Sequence, residues 1–138
     1  MDTMDKIIYT ARTHTIGGRE GSSRSDDGRL LLQLSLPGAR GMGTNPEQLL
    51  AAGWSACFLS TLAHLAKLRE LALPKDCAID AEIDLGSGAD GLAIQARLRV
   101  SLPGLDLDTA RALVNAAHAA CPYSKATQGN IAVSIDLA

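Results

Sequence analysis

Three cysteines are the residues of this 138-residue chain whose types and spacing could most directly support chemistry: Cys57, Cys77 and Cys121. A thiol can pack as a small apolar side chain, bind a metal ion or take part in redox chemistry. Their number is small and odd, which is not typical of the disulfide scaffold of a secreted protein. The sequence around each cysteine therefore has to separate these roles.

Cys121 has the context most typical of a reactive thiol. It follows a predicted helix and directly precedes Pro122, and if a short helix begins at Pro122, Cys121 takes the cap position, which favours the thiolate. Cys77 lies on the apolar face of an alternating stretch, 77–85, and is predicted to be a small core residue. Cys57 lies inside an uncharged helix, where a lone cysteine most often only packs.

A zinc site is the rival interpretation of the same residues. Cys57 and His64 are seven positions apart, and His118 and Cys121 are three apart, so each pair lies on one face of a helix. Four such ligands could hold zinc in a structural protein, but the sequence has no Cys-x-x-Cys and no His-x-x-x-His spacing. The residues alone leave packing, redox chemistry and zinc binding open.

The elements that must position these residues follow from apolar periodicity and from Gly and Pro. Their order predicts an α+β fold in a single domain spanning residues 1–138. The segment 17–28 is predicted to be a loop or hairpin. Predicted strands cover 6–15, 29–36, 77–85, 92–102 and 131–137, and predicted helices run from 46 to about 73, stopped by Pro74, and from a cap at Asp106 or Asp108 to Ala120.

The long helix carries no formal charge over the 18 positions from Leu49 to Ala66. That length is the lower limit for a membrane-spanning helix, but polar residues interrupt it, so we interpret it as a helix of a globular protein that is buried on most sides. One sheet covers only one side of such a helix. We therefore predict a homodimer, in which a second copy of the chain covers the other side.

Composition argues against several functions. The formal net charge is −2, which gives no basic face for nucleic acid, and aromatic residues are only 3%, which makes stacking platforms for bases unlikely to form. The acidic stretch 1–5 lacks the apolar segment of a signal peptide, so we expect a cytoplasmic protein with no membrane association. Neither a phosphate-binding glycine pattern nor the Gly-x-Ser-x-Gly elbow of hydrolases is present.

Two long motifs, in a defined order, point to a family. Residues 44–49 read TNPEQL and residues 51–58 read AAGWSACF, while CPYS at 121–124 is followed by Ala126-Thr127 and Gly129-Asn130-Ile131. Together these strings resemble the organic hydroperoxide resistance (Ohr) proteins of the OsmC/Ohr superfamily. The resemblance covers essentially the whole chain, including the loop Gly17-Gly18-Arg19.

The resemblance implies antiparallel sheets wrapped around long central helices in an intertwined homodimer, with two active sites at the interface. It implies a thiol-dependent peroxidase that reduces alkyl and fatty-acid hydroperoxides to alcohols in the response to oxidative stress. By motif position, Cys57 is expected to attack the peroxide and Cys121 to resolve it as a disulfide, beside an ion pair of Arg19 and Glu47. The expected reductant is a dithiol such as a lipoylated protein, and neither a metal nor an organic cofactor is implied. The alternative is a non-catalytic member of the superfamily that binds lipids or other small molecules.

This chemistry explains why an arginine and a carboxylate would accompany the cysteines. A free thiol with a pKa near ~8.5 is only slightly ionised at pH 7, and an apolar helix interior raises that pKa. Arg19 is expected to favour the thiolate of Cys57, and Glu47 to balance the arginine. Without the resemblance, a solvated loop charge and a helix-dipole partner would be the simpler interpretations of these two residues.

The apolar side chains of Trp54, Phe58 and Leu49 are expected to line a pocket for the alkyl part of the substrate, which would favour organic hydroperoxides over hydrogen peroxide. The sequence also departs from the family pattern at four positions, none of them among the four proposed catalytic residues. These departures concern the shape of the pocket and the peroxide preference. They are Trp54 for Tyr, Leu50 for Phe, Lys125 for Asn and Gln128 for Arg.

Overall fold

The computed structural model describes residues 4–138 of the chain. Residues 1–3 lie outside the described residues. They belong to the acidic stretch on which the expected absence of a signal peptide partly rests. By its internal contacts the chain divides into two compact units, Met1–Pro46 and Glu47–Ala138. Strands and helices occur together, so the predicted α+β class is confirmed, while a single domain over 1–138 stays a prediction.

The first unit contains a three-stranded antiparallel sheet. Its strands are β1 (Thr13–Ile16), β2 (Ser22–Ser25) and β3 (Leu31–Gln33), in that spatial order. The predicted strand over 6–15 is therefore too long, because β1 can extend only as far as its four-residue partner β2. The predicted loop over 17–28 in fact contains β2, which is secured across the sheet by the 2.8 Å hydrogen bond between the hydroxyls of Thr15 and Ser23.

A tight turn that requires glycine joins β1 to β2 and carries Arg19. Gly17 and Gly18 have φ angles of 72° and 57°, in the left-handed region that glycine adopts without strain. A Cβ on Gly21 would lie 1.8 Å from the carbonyl oxygen of Ile16, so no other residue fits there. The position of the Arg19 backbone is thus fixed by the glycines on both sides of it.

The second unit consists of three helices and a three-stranded sheet. β4 (Ala78–Gly88) and β5 (Gly91–Ser101) form an antiparallel hairpin, while β6 (Val133–Leu137) pairs with β5 in parallel. The sheet is therefore mixed, because the connection from β5 to β6 passes through helices that return the chain to the same end of the sheet. The helices are α1 (Pro46–Leu68), α2 (Leu107–Ala120) and α3 (Pro122–Thr127).

One stripe of α1 forms the centre of the core of this unit. Trp54, Phe58, Leu62 and Ala66 recur every four residues and are buried, as the helical period requires. They belong to a cluster with apolar residues of β5 and α2. Within one chain only 22% of the apolar segment of α1 is buried, so the predicted burial on most sides would need a second copy of the chain and stays a prediction. By length and composition only, α1 is also the one helix among residues 4–138 that could cross a membrane.

The end of α1 differs from the prediction because of the residue Glu70. The helix ends at Leu68 rather than near 73, and Glu70 has a φ of 55°. The amide of Leu71 donates to the carbonyl of Ala66 (2.8 Å) and that of Glu70 to the carbonyl of Lys67 (3.1 Å). This is the Schellman arrangement, which stops a helix without a proline.

We expect Glu70→Gly to stabilise the protein. The left-handed conformation costs a non-glycine residue about 1–2 kcal/mol, and the greater freedom of glycine in the unfolded chain cancels only part of the gain. The expected rise in the free energy of unfolding is roughly 0.5–1 kcal/mol, measured by urea denaturation. Arg69→Gly, at the neighbouring position without a positive φ, is the control and should destabilise; equal effects of the two changes would contradict this account.

Candidate active site

Cys57 is placed by the middle of α1, on a face adjacent to the buried stripe. It is half-buried and packs against the core beside the fully buried Phe58. The helix begins at Pro46, which suits a first helical position because proline lacks an amide donor. The hydroxyl of Thr61 donates to the carbonyl of Cys57 at 3.0 Å, so this polar side chain is satisfied within the helix.

Cys121 is placed by the break between α2 and α3, as the sequence predicts. The predicted cap at Asp106 is present, since its carboxylate accepts from the Thr109 amide at 3.0 Å, and α2 ends at Ala120. Cys121 then adopts an extended conformation, which the following Pro122 favours, and becomes the N-cap of α3. Its side chain is fully buried.

The two thiols meet although they are far apart in the sequence. The side chain of Cys121 hydrogen-bonds to the thiol of Cys57, and both cysteines are free rather than joined as a disulfide. The fold of the second unit thus brings together the two thiols that sequence reasoning singled out. Such a pair can in principle be oxidised to a disulfide without long-range movement of the chain.

The surroundings of Cys57 disfavour its thiolate. Burial of the thiol is the largest influence and raises its pKa, and the hydrogen bond and charge of Cys121 raise it further. A hydrogen bond from the backbone amide of Tyr123 acts in the opposite direction and lowers the pKa, but the net effect is a rise. The expected conflict between an apolar helix and an ionised thiol is therefore present within this unit.

A second contact links the helices that carry the thiols. The indole Nε1 of Trp54 donates to the hydroxyl of Ser124 at 3.2 Å, and both side chains are buried. Next to it, the phenol of Tyr123 lies so close to Gly53 that a Cβ there would be 2.8 Å from its oxygen. Sequence reasoning missed Ser124, although its place one helical turn after Cys121 was a signal that could have drawn attention to it.

The other predicted site residues are distributed over both units. Arg19 lies in the 3-10 turn Gly18–Glu20 of the first unit and is half-buried, whereas the other residues of 11–20 are exposed. Glu47 lies in the first turn of α1, in the second unit. Of the three predicted pocket residues, Trp54 and Phe58 are 0% exposed in the core, and only Leu49, at 36%, presents substantial surface.

The remaining interpretations of the cysteines and histidines have less support. Cys77 is half-buried just before β4 and packs against the core, as predicted. His64 is exposed on α1, and the Nδ1 atom of His118 is buried without a hydrogen-bond partner. Over the described residues 4–138, no group of three or more His, Cys, Asp or Glu side chains is arranged to hold a metal ion, so the geometry does not favour the zinc interpretation.

Comparison with known proteins shows which family this chain belongs to. A model of OsmC-like proteins matches residues 38–136. The organic hydroperoxide resistance protein of Xanthomonas axonopodis pv. citri (strain 306) is 44% identical, with 100% of both chains covered. The crystal structure of the organic hydroperoxide resistance protein OhrB of Bacillus subtilis is 42% identical, covers 96% of this chain and 100% of its own, and gives a TM-score of 0.90. An organic hydroperoxide resistance protein from Legionella pneumophila is 38% identical, covers 96% of this chain and 99% of its own, and gives a TM-score of 0.91. With a family match over most of its length and full-length relatives of this name, the chain belongs to the OsmC family, in the branch of the organic hydroperoxide resistance (Ohr) proteins.

Proposed function

We propose that the protein is a thiol-dependent peroxidase that reduces organic hydroperoxides to alcohols. The observation that carries this proposal is the contact between the thiols of Cys57 and Cys121, which the fold creates from α1 and from the break between α2 and α3. The full-length relatives named for organic hydroperoxide resistance support the substrate class. A pair of free thiols in contact needs no metal ion to carry out this reaction.

The proposed reaction has two steps on the protein. The thiolate of Cys57 attacks the terminal oxygen of ROOH, the O–O bond breaks, and the alkoxide takes up a proton and leaves as ROH, while Cys57 becomes a sulfenic acid. The sulfur of Cys121 then attacks the sulfur of Cys57, an S–S bond forms, the S–O bond breaks and water leaves. A dithiol reduces this disulfide and is itself oxidised to a disulfide, and a lipoylated protein is the reductant that we propose.

The first step requires a positive charge near the sulfur of Cys57. Burial raises the pKa of that thiol, so most of it is protonated at neutral pH unless a cation favours the thiolate. We assign this role to Arg19, whose guanidinium also suits the negative oxygen that develops as the O–O bond breaks. Glu47, in the first turn of α1, is assigned the role of balancing and orienting the arginine.

The proposed preference for organic hydroperoxides rests on the apolar surface of α1. Leu49 and the alanines at positions 52 and 56 are exposed on the helix that carries Cys57. Trp54 and Phe58 lie behind this surface in the core, where they determine its shape rather than touch solvent. Burial of an alkyl chain against such a surface favours binding, whereas hydrogen peroxide has no apolar part to bury.

Peroxide consumption measured by stopped flow tests this function. We expect tert-butyl hydroperoxide and a fatty-acid hydroperoxide to react at least about tenfold faster than hydrogen peroxide, since an apolar group in a complementary pocket is worth that much. Dihydrolipoamide should sustain turnover better than reduced thioredoxin. If the protein binds the fatty-acid hydroperoxide without consuming it, the proposal fails and the alternative, a non-catalytic lipid-binding protein, is correct.

We further propose that the protein acts in the cytoplasm as a homodimer. Only 22% of the apolar segment of α1 is buried in one chain, and in the first unit the consecutive residues Ile7, Ile8 and Tyr9 are 71–92% exposed. Apolar surface of this extent is uncommon on a monomer. The sequence pattern predicts that a second copy of the chain covers this surface of α1.

The oligomeric state gives a direct measurement of this proposal. Light scattering coupled to gel filtration is expected to give a mass of about 29 kDa, twice the 14.4 kDa of one chain. Replacing Leu68, which is 66% exposed at the end of α1, by Asp should weaken the association, because a buried charge at an interface is costly. A monodisperse 14.4 kDa species at micromolar concentration would refute the dimer.

A further inference from the structure

The hydrogen bond between Trp54 and Ser124 is the feature that the proposed reaction does not yet use. Its donor and acceptor are 3.2 Å apart, and the two residues are 0% and 1% exposed. Its partners come from α1 and α3, which are the helix that carries Cys57 and the helix that Cys121 caps. Because the hydroxyl of Ser124 is buried, it does not contact solvent, and its role has to come from its contact with Trp54.

The spacing of the four residues is regular. Trp54 precedes Cys57 by three positions on α1, and Ser124 follows Cys121 by three positions. Three residues are close to one helical turn, so the hydrogen bond lies about one turn away from the thiol contact and joins the same two segments. The close approach of Tyr123 to Gly53, the residue before Trp54, packs the same helices together.

α3 depends on such contacts for its position. It has only six residues, and a helix of that length is not stable by itself. Disulfide formation, in contrast, requires the Cα atoms of the two cysteines to lie within about 7 Å in a restricted geometry. A small displacement of α3 therefore affects mainly the second step of the reaction, while the first step takes place at Cys57 with the peroxide and, as proposed, Arg19.

We propose that Trp54 and Ser124 are positioning residues for the resolving step: their hydrogen bond holds α3 against α1 so that Cys121 stays within reach of oxidised Cys57. This inference rests on the proposed peroxidase function. It also gives Trp54 a role that differs from the substrate pocket expected from its sequence position, since the indole donates to α3 rather than lining an exposed surface.

The test separates the two steps by rapid mixing of the reduced full-length protein with one equivalent of tert-butyl hydroperoxide. Peroxide loss reports the first step, and acid quenching followed by alkylation and mass spectrometry reports the Cys57–Cys121 disulfide. In Ser124→Ala, peroxide loss should stay within about twofold. Disulfide formation should slow by roughly tenfold or more in both Ser124→Ala and Trp54→Phe, as expected for the loss of a buried hydrogen bond. Dimedone should trap more sulfenic acid on Cys57 in both variants.

Two comparisons make the result specific. The double variant should be no slower than either single variant, because both remove the same hydrogen bond. Ser55→Ala is the matched control, since the hydroxyl of Ser55 bonds only within α1, to the carbonyl of Ala51 at 2.7 Å, and its disulfide formation should match the wild type.

The outcomes distinguish the inference from the function. Wild-type rates of disulfide formation in Ser124→Ala and Trp54→Phe, or additive slowing in the double variant, would overturn the positioning role while peroxide turnover stands. If Ser124→Ala does not fold, Trp54→Phe, which keeps an aromatic ring in the core, decides the question. Absence of peroxide consumption by the wild-type protein would instead overturn the proposed function.

Discussion

Cys57→Ser is expected to abolish peroxide turnover, with a loss of at least about 10³-fold, typical of the removal of an essential nucleophile. A serine hydroxyl at this position is not ionised at neutral pH and cannot be oxidised to a sulfenic acid, so neither the attack nor the later disulfide is possible. The side chain is half-buried and differs from serine by one atom, so the fold should be retained. Steady-state consumption of tert-butyl hydroperoxide with dihydrolipoamide measures the effect.

The other two cysteines are the controls for this experiment. Cys121→Ser should still consume one equivalent of peroxide and then accumulate oxidised Cys57, because the resolving thiol is missing. Cys77→Ser, at the half-buried position before β4, should keep near wild-type turnover. Full activity of Cys57→Ser would remove the peroxidase assignment, and equal losses in all three variants would indicate unfolding rather than chemistry.

Arg19→Ala is expected to slow the attack on peroxide by about 10³-fold at pH 7. Lowering a thiol pKa from ~8.5 by about two units increases its thiolate fraction near thirtyfold, which the variant loses. The loss of a charge that stabilises the developing alkoxide adds a further factor of about 10². The pseudo-first-order rate of peroxide loss with excess protein, measured by stopped flow, gives both effects together.

The pH dependence separates the two effects. Burial raises the pKa of Cys57, so without a compensating cation the thiolate appears only on the alkaline side. The rate of Arg19→Ala should therefore rise with pH beyond the point at which the wild-type rate levels off. At the highest pH the difference from wild type should shrink to the part that comes from the alkoxide. A constant ratio of the two rates at every pH would contradict a role of Arg19 in ionising Cys57.

Arg24→Ala is the matched control for Arg19→Ala. Arg24 lies in the same unit as Arg19, on β2 opposite His14, and is exposed. Its loss removes the same charge from the same unit of the protein, so long-range electrostatics changes equally in both variants. We expect the rate of Arg24→Ala to stay within about twofold of wild type, since an exposed charge is well screened.

Local signals predicted much of the second unit correctly. The end of α2 at Ala120 is as predicted, Asp106 is the cap of the two candidates, and a helix does begin at Pro122, which the sequence left as a condition. The hairpin of β4 and β5 follows from alternating apolar residues, although the strands extend further into the turn than predicted. The contact of the two thiols was expected only because of the resemblance to a family, since the spacing of the cysteines left it open.

The predictions that were wrong concern features that depend on distant partners or on unusual backbone angles. The short strands of the first unit are limited by the lengths of their neighbours. The end of α1 depends on a left-handed Glu70, a residue type that rarely adopts this conformation. The hydrogen bond from Trp54 to Ser124 joins residues 70 positions apart, so the local pattern near Cys121 could draw attention to Ser124 but could not identify its partner.

The unequal enclosure of the two sulfurs bears on how the proposed Cys57–Cys121 disulfide would be reduced. Cys121 is completely enclosed within its own chain, whereas Cys57 is partly accessible. An incoming thiol can therefore approach a Cys57–Cys121 bond only from the Cys57 side. The transient mixed disulfide would then form on Cys57, with Cys121 as the departing sulfur, and a bulky carrier protein would have to deliver its dithiol on an extended arm.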